Sequence, residues 1–418
     1  MNQIDYTDTY PKWRKEMKST HKILIPDMLP YHFALFEVAL KQEGYTVETL
    51  KNTSRTVIDE GLKHVHNDTC YPCLCVVGQY IDALKSGKYD LNKTALLITQ
   101  TGGGCRASNY LALTRKAIHS EFPSVPLLSL NFSGLEKDSS LPMSPRLLMK
   151  LAFCVVYGDT IMWSYNQIKP YEAAEGLTDK ARDEAVALVS ERFSTGKYKN
   201  YKKINKQIID IFASVQRKKT DKIKVGIVGE IYVKYSALGN NNLEKMLLSE
   251  GCEPIVPTLL DFVLYTVLAK VNDARMYGTN KFGGWVYKIV YNKLHKMQLK
   301  INQMFVCAGL TPPHDMDHLR KCADVVINQG VKMGEGWLIP AEMAALYESG
   351  VPNIVCAQPF GCLPNHIVGK GTIRTLKKLH PDINIVAIDY DPSASSVNQE
   401  NRIKLMLSSA KEMEDLTA

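Results

Sequence analysis

The stretch Lys93–Tyr110, KTALLITQTGGGCRASNY, contains the pattern that decides the fold. Its first eight residues form a largely apolar run that ends at Gln100, three glycines follow closely, and an amphipathic pattern begins after them. A short apolar run bounded by turn residues is typical of a strand buried on both faces, as in a parallel sheet. The stretch therefore predicts a strand, a glycine-rich turn and a helix, the repeating unit of an α/β protein.

The same unit recurs along most of the chain, and apolar runs predict eight strands. These predicted strands are His21–Met28, Tyr45–Leu50, Lys93–Gln100, Val125–Phe132, Lys222–Ile231, Glu253–Pro257, Pro352–Cys356 and Ile383–Tyr390. Helical patterns separate them at Tyr31–Glu43, Leu74–Lys85, Arg106–Ser120, Asn241–Ser249, Asn365–Leu379 and Asn398–Met413. Strands that alternate with amphipathic helices predict an α/β fold with parallel sheets.

The length of 418 residues exceeds what one ordinary hydrophobic core organises, so more than one domain is expected. We predict an α/β domain over 1–141, a helical connection over 142–218, and a second α/β domain over 219–418. The second domain is expected to contain a helical insertion at about 259–345.

Composition and charge limit the classes of partner. The apolar fraction of 45% and the charged fraction of 22% are those of a soluble globular protein, and Lys plus Arg number 51 against 43 acidic residues. Basic runs at Lys197–Lys206 and Arg217–Lys224 fit a solvated helix face and a linker. They lack the aromatic residues of a base-stacking surface, so no nucleic acid is expected, although an anionic substrate such as a CoA ester remains compatible.

The sequence predicts a cytoplasmic protein. We find no apolar run of membrane-spanning length and no signal-peptide core near the N-terminus. In the cytoplasm, ten cysteines are expected to be thiols or metal ligands rather than disulfides.

Three cysteines stand at the predicted start of a helix, after what reads as a strand. They are Cys70 in HNDTCYPC, Cys105 after the glycines Gly102, Gly103 and Gly104, and Cys362 after Gly361 in QPFGCLPNH. Free backbone N–H groups and the helix dipole favour a thiolate there, and the glycines permit the tight turns of a cofactor site. In parallel sheets such turns meet at the carboxyl ends of the strands, so these cysteines are expected to converge.

Four thiolates would suit an iron–sulfur cluster or tetrahedral zinc, with Cys356 as the fourth ligand at the end of its strand. The glycines could instead cradle a phosphate, but no Lys-Ser/Thr pair follows them. CYPC could be a redox pair or half of a zinc site, and Cys73 and Cys75 are either ligands or core residues. Glu335 and His366 are candidate proton donors or partners of the site, with a structural role as the alternative.

Several longer motifs carry a resemblance to a known family. HNDTCYP, TQTGGGCR, VGEIYVKYSALGNNNLEKML, GEGWL, NIVCAQPFGCLPNHIVGKG and IDYDPSASSVNQENRIKLML together resemble the activase-related iron–sulfur proteins of the 2-hydroxyacyl-CoA dehydratase superfamily. The resemblance extends from about His21 to Met413. It implies two flavodoxin-like or Rossmann-like domains with an oxygen-sensitive cluster between them, and Cys70, Cys105, Cys356 and Cys362 match the cysteine-bearing motifs.

The resemblance also implies a [4Fe–4S] cluster or a double-cubane cluster. A separate ATP-dependent activase would inject an electron at low potential, because nothing in this chain resembles a nucleotide-binding loop. The substrate would be a 2-hydroxyacyl-CoA or a small molecule reduced at the cluster. Whether the chain works alone or as a homo- or hetero-oligomer stays open. The alternative is a non-catalytic iron–sulfur or zinc protein that relays electrons or acts as a scaffold.

Overall fold

The computed structural model describes residues 10–66, 68–100, 104–131 and 139–417, and the side chains up to residue 412. It contains two four-stranded, all-parallel sheets, which confirms the predicted α/β class and its two parallel sheets. The strands are β1 (Lys22–Ile25), β2 (Thr46–Thr49), β3 (Thr94–Gln100), β4 (Leu127–Asn131), β5 (Lys224–Gly229), β6 (Glu253–Ile255), β7 (Asn353–Pro359) and β8 (Asn384–Tyr390).

Sixteen α-helices surround and connect the sheets in the described part of the chain. They are α1 (Met17–Thr20), α2 (Pro30–Gln42), α3 (Arg55–His64), α4 (Tyr71–Lys85), α5 (Tyr110–Glu121), α6 (Pro145–Ile168), α7 (Leu177–Ser194), α8 (Tyr201–Ala213), α9 (Ile231–Tyr235), α10 (Leu243–Ser249), α11 (Leu259–Met276), α12 (Lys281–Cys307), α13 (Met316–Val326), α14 (Leu338–Glu348), α15 (Gly371–Leu379) and α16 (Ser396–Thr417). A π-helical segment, Asn365–Lys370, leads into α15.

Both sheets have the same topology. The strand orders are β2-β1-β3-β4 and β6-β5-β7-β8, so each sheet reverses its direction of winding between two central strands. In the second sheet this reversal lies between β5 and β7, where Val228 pairs with Cys356. Ligands of open parallel sheets bind at the carboxyl ends of the strands beside such a reversal. The loops that follow β3, β5 and β7 are therefore the parts of the fold best placed to build a site.

The long helix α6 forms the centre of the helical connection. Together with the turn after it, Pro145–Tyr171 is the one segment among the described residues that is long and apolar enough to cross a membrane, which the sequence analysis did not predict. However, 61% of its most apolar 18-residue stretch is buried within the protein, and α6 packs against α2, α7 and α8. It carries a buried lysine and a buried aspartate, Lys150 and Asp159. These contacts identify α6 as a core helix.

Asp261 gives the fold a pH-dependent stability. Its side chain is 2% exposed, accepts hydrogen bonds from Thr258 at the start of α11, and accepts one from Gln298 at 2.7 Å. Burial raises the pKa of this carboxyl from 3.8 to about 7. Between about pH 4 and pH 7 the folded protein retains a proton that the unfolded chain releases, so its contribution to stability is present at low pH and is lost as the pH rises.

We therefore expect Asp261→Asn to flatten the pH dependence of stability. Urea unfolding of the wild type is expected to show a fall in the free energy of unfolding between about pH 4 and pH 7, to which Asp261 contributes. The fall should be smaller in Asp261→Asn, whose side chain does not titrate. Equal falls in the two proteins would contradict the assignment, whatever the absolute stability of the variant.

Candidate metal centre

Three cysteines from separate loops lie near one another. Cys70 precedes α4, Cys105 follows β3, and Cys362 follows β7. The Cys362 thiol lies beside that of Cys70, and Cys362 also acts electrostatically on Cys105. Two of the predicted turns follow strands, but the Cys70 turn joins helix α3 to helix α4, because Arg55–His64 is helical rather than part of a strand.

The three loops are joined by hydrogen bonds to backbone carbonyls. The N–H of Tyr71 donates to the carbonyl of Phe360 at 3.4 Å, and the Arg106 guanidinium donates to the carbonyl of Asp68. Gly361 has a φ of +76°, and a Cβ there would lie 3.0 Å from Arg106 Nη1. A side chain at this position would therefore meet both backbone strain and the neighbouring loop.

The predicted glycines are placed as follows. A Cβ on Gly104 would lie 2.2 Å from the Sδ of Met333, so the loop that carries Cys105 closely approaches the segment before α14. Gly102 and Gly103 lie outside the described residues.

Cys105 and Cys362 do not have the lowered thiol pKa that was predicted for cysteines at helix starts. The pKa of Cys362 is raised well above its ordinary value, first by its contact with Cys70 and then by burial. Burial raises the pKa of Cys105, and the backbone N–H of Ala107 only partly opposes that effect. Desolvation and neighbouring acidic groups outweigh the helix ends here. Thiols in this setting ionise when a cation binds them, which fits a metal-binding donor set.

Two buried carboxyl groups stand beside the thiols. Glu230 follows β5, and its Oε2 accepts from the N–H of Val233 at 2.9 Å, while Glu335 Oε1 accepts from the N–H of Ile231 at 3.0 Å. Both act electrostatically on Cys105 and Cys362. Burial, reinforced by Glu335, raises the pKa of Glu230 to about 8, and burial also raises that of Glu335. At neutral pH Glu230 therefore holds a proton near the thiols.

Cys356 occupies a different environment. Strand β7 continues to Pro359, so Cys356 lies within the strand rather than at its end, and its side chain is fully buried. Gln358 Nε2 donates to its Sγ at 3.3 Å, and a Cβ on Gly369 would lie 3.3 Å from the same sulphur. The Cys356 sulphur therefore packs against Gln358 and the π-helical segment.

His366, Cys73 and Cys75 are the remaining residues that the sequence suggested for this site. His366 is half-buried one turn after Cys362 and donates its N–H to the carbonyl of that residue at 3.2 Å. Cys73 and Cys75 are fully buried in an apolar cluster that includes residues of both halves of the chain, and burial raises the pKa of Cys73 to about 12. These two cysteines occupy core positions.

Glu230 and Tyr110 are residues of the site that were not predicted from the sequence, and the Tyr110 hydroxyl lies next to the Cys70 thiol. A signal for Glu230 was present, because an acidic residue follows the apolar run of β5 directly, at the end of a central strand. Tyr110 had no such signal, because its proximity to Cys70 depends on how α5 packs beside α4.

The rim of the site carries exposed apolar side chains. Met333, Phe360, Leu363 and Ile367 are 50%, 46%, 57% and 57% exposed. Exposed apolar residues that gather around a site of charged and polar groups are typical of a protein-binding surface.

Comparison of the chain with protein-family models and with curated proteins found no match.

Proposed function

We propose that this chain is an iron–sulfur protein of the 2-hydroxyacyl-CoA dehydratase superfamily and that Cys70, Cys105 and Cys362 hold its cluster. The observation that carries the proposal is the convergence of these three thiols, from three loops and both α/β halves, beside buried acidic groups. A largely buried site whose donors are all sulphur is better suited to an iron–sulfur cluster than to a hard cation. A [4Fe–4S] cluster is the first candidate, and a double-cubane cluster is the second.

In this proposal the chain's own residues bind the cluster, shield it from water and supply protons. The three thiols bind the cluster, and the surrounding core excludes water from it. The carboxyl group of Glu230 is protonated at neutral pH, so it can hold a proton close to the site. Glu335, whose pKa is also raised by burial, is the second candidate proton donor. When bound, the cluster would supply an electron at low potential to a 2-hydroxyacyl-CoA or to a small molecule.

The electron would come from a separate ATP-dependent iron–sulfur activase. The exposed apolar rim of Met333, Phe360, Leu363 and Ile367 is a suitable surface for docking such a partner. The second candidate function is electron relay or scaffolding without catalysis, with iron–sulfur or zinc at the same thiols.

Anaerobic purification with iron, sulfide and zinc analysis tests the proposal. We expect brown protein with iron and acid-labile sulfide, an EPR signal after reduction, and no ATP hydrolysis by the chain alone. Stoichiometric zinc without sulfide, in cells grown with ample iron, would overturn the cluster assignment. A cluster midpoint potential of about −150 to +300 mV, the range of Rieske centres, would favour electron relay over a low-potential reductase.

A further inference from the structure

A second group of metal-ligand side chains lies on α13 and α14, and it shares no residue with the candidate metal centre. His318 and Cys322 are four residues apart on α13, so they project from the same face of the helix. Glu348 is the last residue of α14, which packs against α13. One nitrogen, one sulphur and one carboxylate oxygen of these residues all lie within 4.8 Å of one another.

The separations of these atoms match a tetrahedral zinc site. Cys322 Sγ lies 3.7 Å from His318 Nε2 and 3.6 Å from Glu348 Oε2, and His318 Nε2 lies 3.5 Å from the same oxygen. Zinc bonds of about 2.3 Å to sulphur and about 2.0–2.2 Å to nitrogen or oxygen, at tetrahedral angles, place the ligand atoms about 3.3–3.7 Å apart. The nitrogen–oxygen separation is too long for a good hydrogen bond, whereas Cys322 Sγ lies within hydrogen-bonding distance of both partners.

The surroundings allow a cation to enter and leave one coordination position free. The Cys322 residue is 1% exposed, whereas the side chains of His318 and Glu348 are 34% and 43% exposed. His314 stands one turn before His318, but its Nε2 lies 3.2 Å from the hydroxyl of Ser349 and is engaged there. The fourth position of a tetrahedral ion would therefore face solvent.

We propose that His318, Cys322 and Glu348 form a binding site for a zinc-like divalent transition metal, with water as the fourth ligand. The ion would join α13 to the end of α14. A second trio, His295, Asp315 and Asp317, is less suited, because Asp315 already accepts the N–H groups of Asp317 and His318 at the start of α13.

Cobalt substitution of the purified protein tests this site. Co²⁺ bound by thiolate and imidazole in a tetrahedral site gives intense visible bands and a sulphur-to-cobalt charge-transfer band. We expect Cys322→Ser to lose the part of the charge-transfer band that arises here, and His318→Gln and Glu348→Gln to weaken Zn²⁺ binding at this site about tenfold or more. Zn²⁺ should raise the thermal midpoint of the wild type more than that of these variants.

Matched variants separate this site from the other thiols. Cys307→Ser, at an exposed cysteine at the end of α12, and Cys362→Ser should both retain the band and the affinity of this site. Glu348→Gln changes an exposed residue, so it decides the matter if Cys322→Ser folds poorly. The proposal is overturned if Glu348→Gln and His318→Gln bind Zn²⁺ and Co²⁺ with the stoichiometry, affinity and spectrum of the wild type.

Discussion

Replacing Cys362 with serine is expected to remove most of the iron and acid-labile sulfide from anaerobically purified protein. The Cys362 thiol lies beside Cys70 and acts on Cys105, so its loss removes one of three converging donors. A hydroxyl is a much poorer ligand for a cluster than a thiolate, because cluster iron is held by soft sulphur donors. Cys70→Ser and Cys105→Ser should show the same loss, measured as iron and sulfide per chain and as EPR intensity.

Cys356→Ser is the matched control, because Cys356 is a buried cysteine six residues before Cys362 with a separate set of neighbours. It should retain most of the iron, as should Cys154→Ser, whose Sγ lies 3.4 Å from the carbonyl of Leu35 in the core. Circular dichroism should show that all the variants fold. If Cys356→Ser loses as much iron as Cys362→Ser, the three-thiol set is wrong and Cys356 is a ligand, as the motifs suggested.

The strands could be predicted because parallel strands buried on both faces leave apolar runs in the sequence. Every strand overlaps a run such as that at Lys93–Gln100, with ends that differ by up to three residues. The helix α3 could not be predicted in this way, because RTVIDEGLKH is short and mostly polar. Because α3 was not predicted, the Cys70 loop was interpreted as a strand-to-helix turn.

The orientation of Cys356 shows why convergence of cysteines is harder to predict than strands. Side chains alternate between the two faces of a strand, but an apolar run such as NIVC does not reveal which face each residue takes. The strand also continues past Cys356 to Pro359, so the turn begins later than the sequence indicates. By contrast, Cys362 follows a glycine with positive φ, and its place in a loop could be read from the sequence.

The proposed metal site of His318, Cys322 and Glu348 shows the same limit of prediction from sequence. The spacing of His318 and Cys322 on one helix face can be read from the sequence, but Glu348 joins them only through the packing of α14 against α13. The pKa values near Cys362 were also inaccessible, because they depend on burial and on carboxyl groups that the chain brings in from distant segments.

Asp159 is a buried charged residue that joins two distant segments, α2 and the start of α11. Its Oδ1 lies 2.9 Å from His32 Nε2 of α2 and accepts from the N–H of Leu259 at 2.8 Å, while Oδ2 accepts from the N–H of Leu260 at 2.8 Å. The residue is 5% exposed and His32 is fully buried. Gly158 makes the arrangement possible, because a Cβ there would lie 2.4 Å from the ring of His32.

We expect Asp159→Ala to destabilise the protein by about 3 kcal/mol or more, because one carboxylate satisfies three buried groups at once. The substitution leaves two N–H groups at the start of α11 and the His32 ring without their acceptor, and solvent does not reach them. The fall should appear in the thermal midpoint and in the urea midpoint, which measure the folded state independently of the candidate metal centre.

Asp183→Ala is the matched control, since Asp183 is also an aspartate on a helix of the connection but its side chain is 71% exposed. Its ion pair with Arg182 is solvated, so its loss should change stability by about 0.5 kcal/mol or less. His32→Ala should destabilise the protein less than Asp159→Ala, because the two backbone N–H groups then retain their acceptor. If Asp159→Ala were no more destabilising than Asp183→Ala, the start of α11 would not depend on this carboxylate.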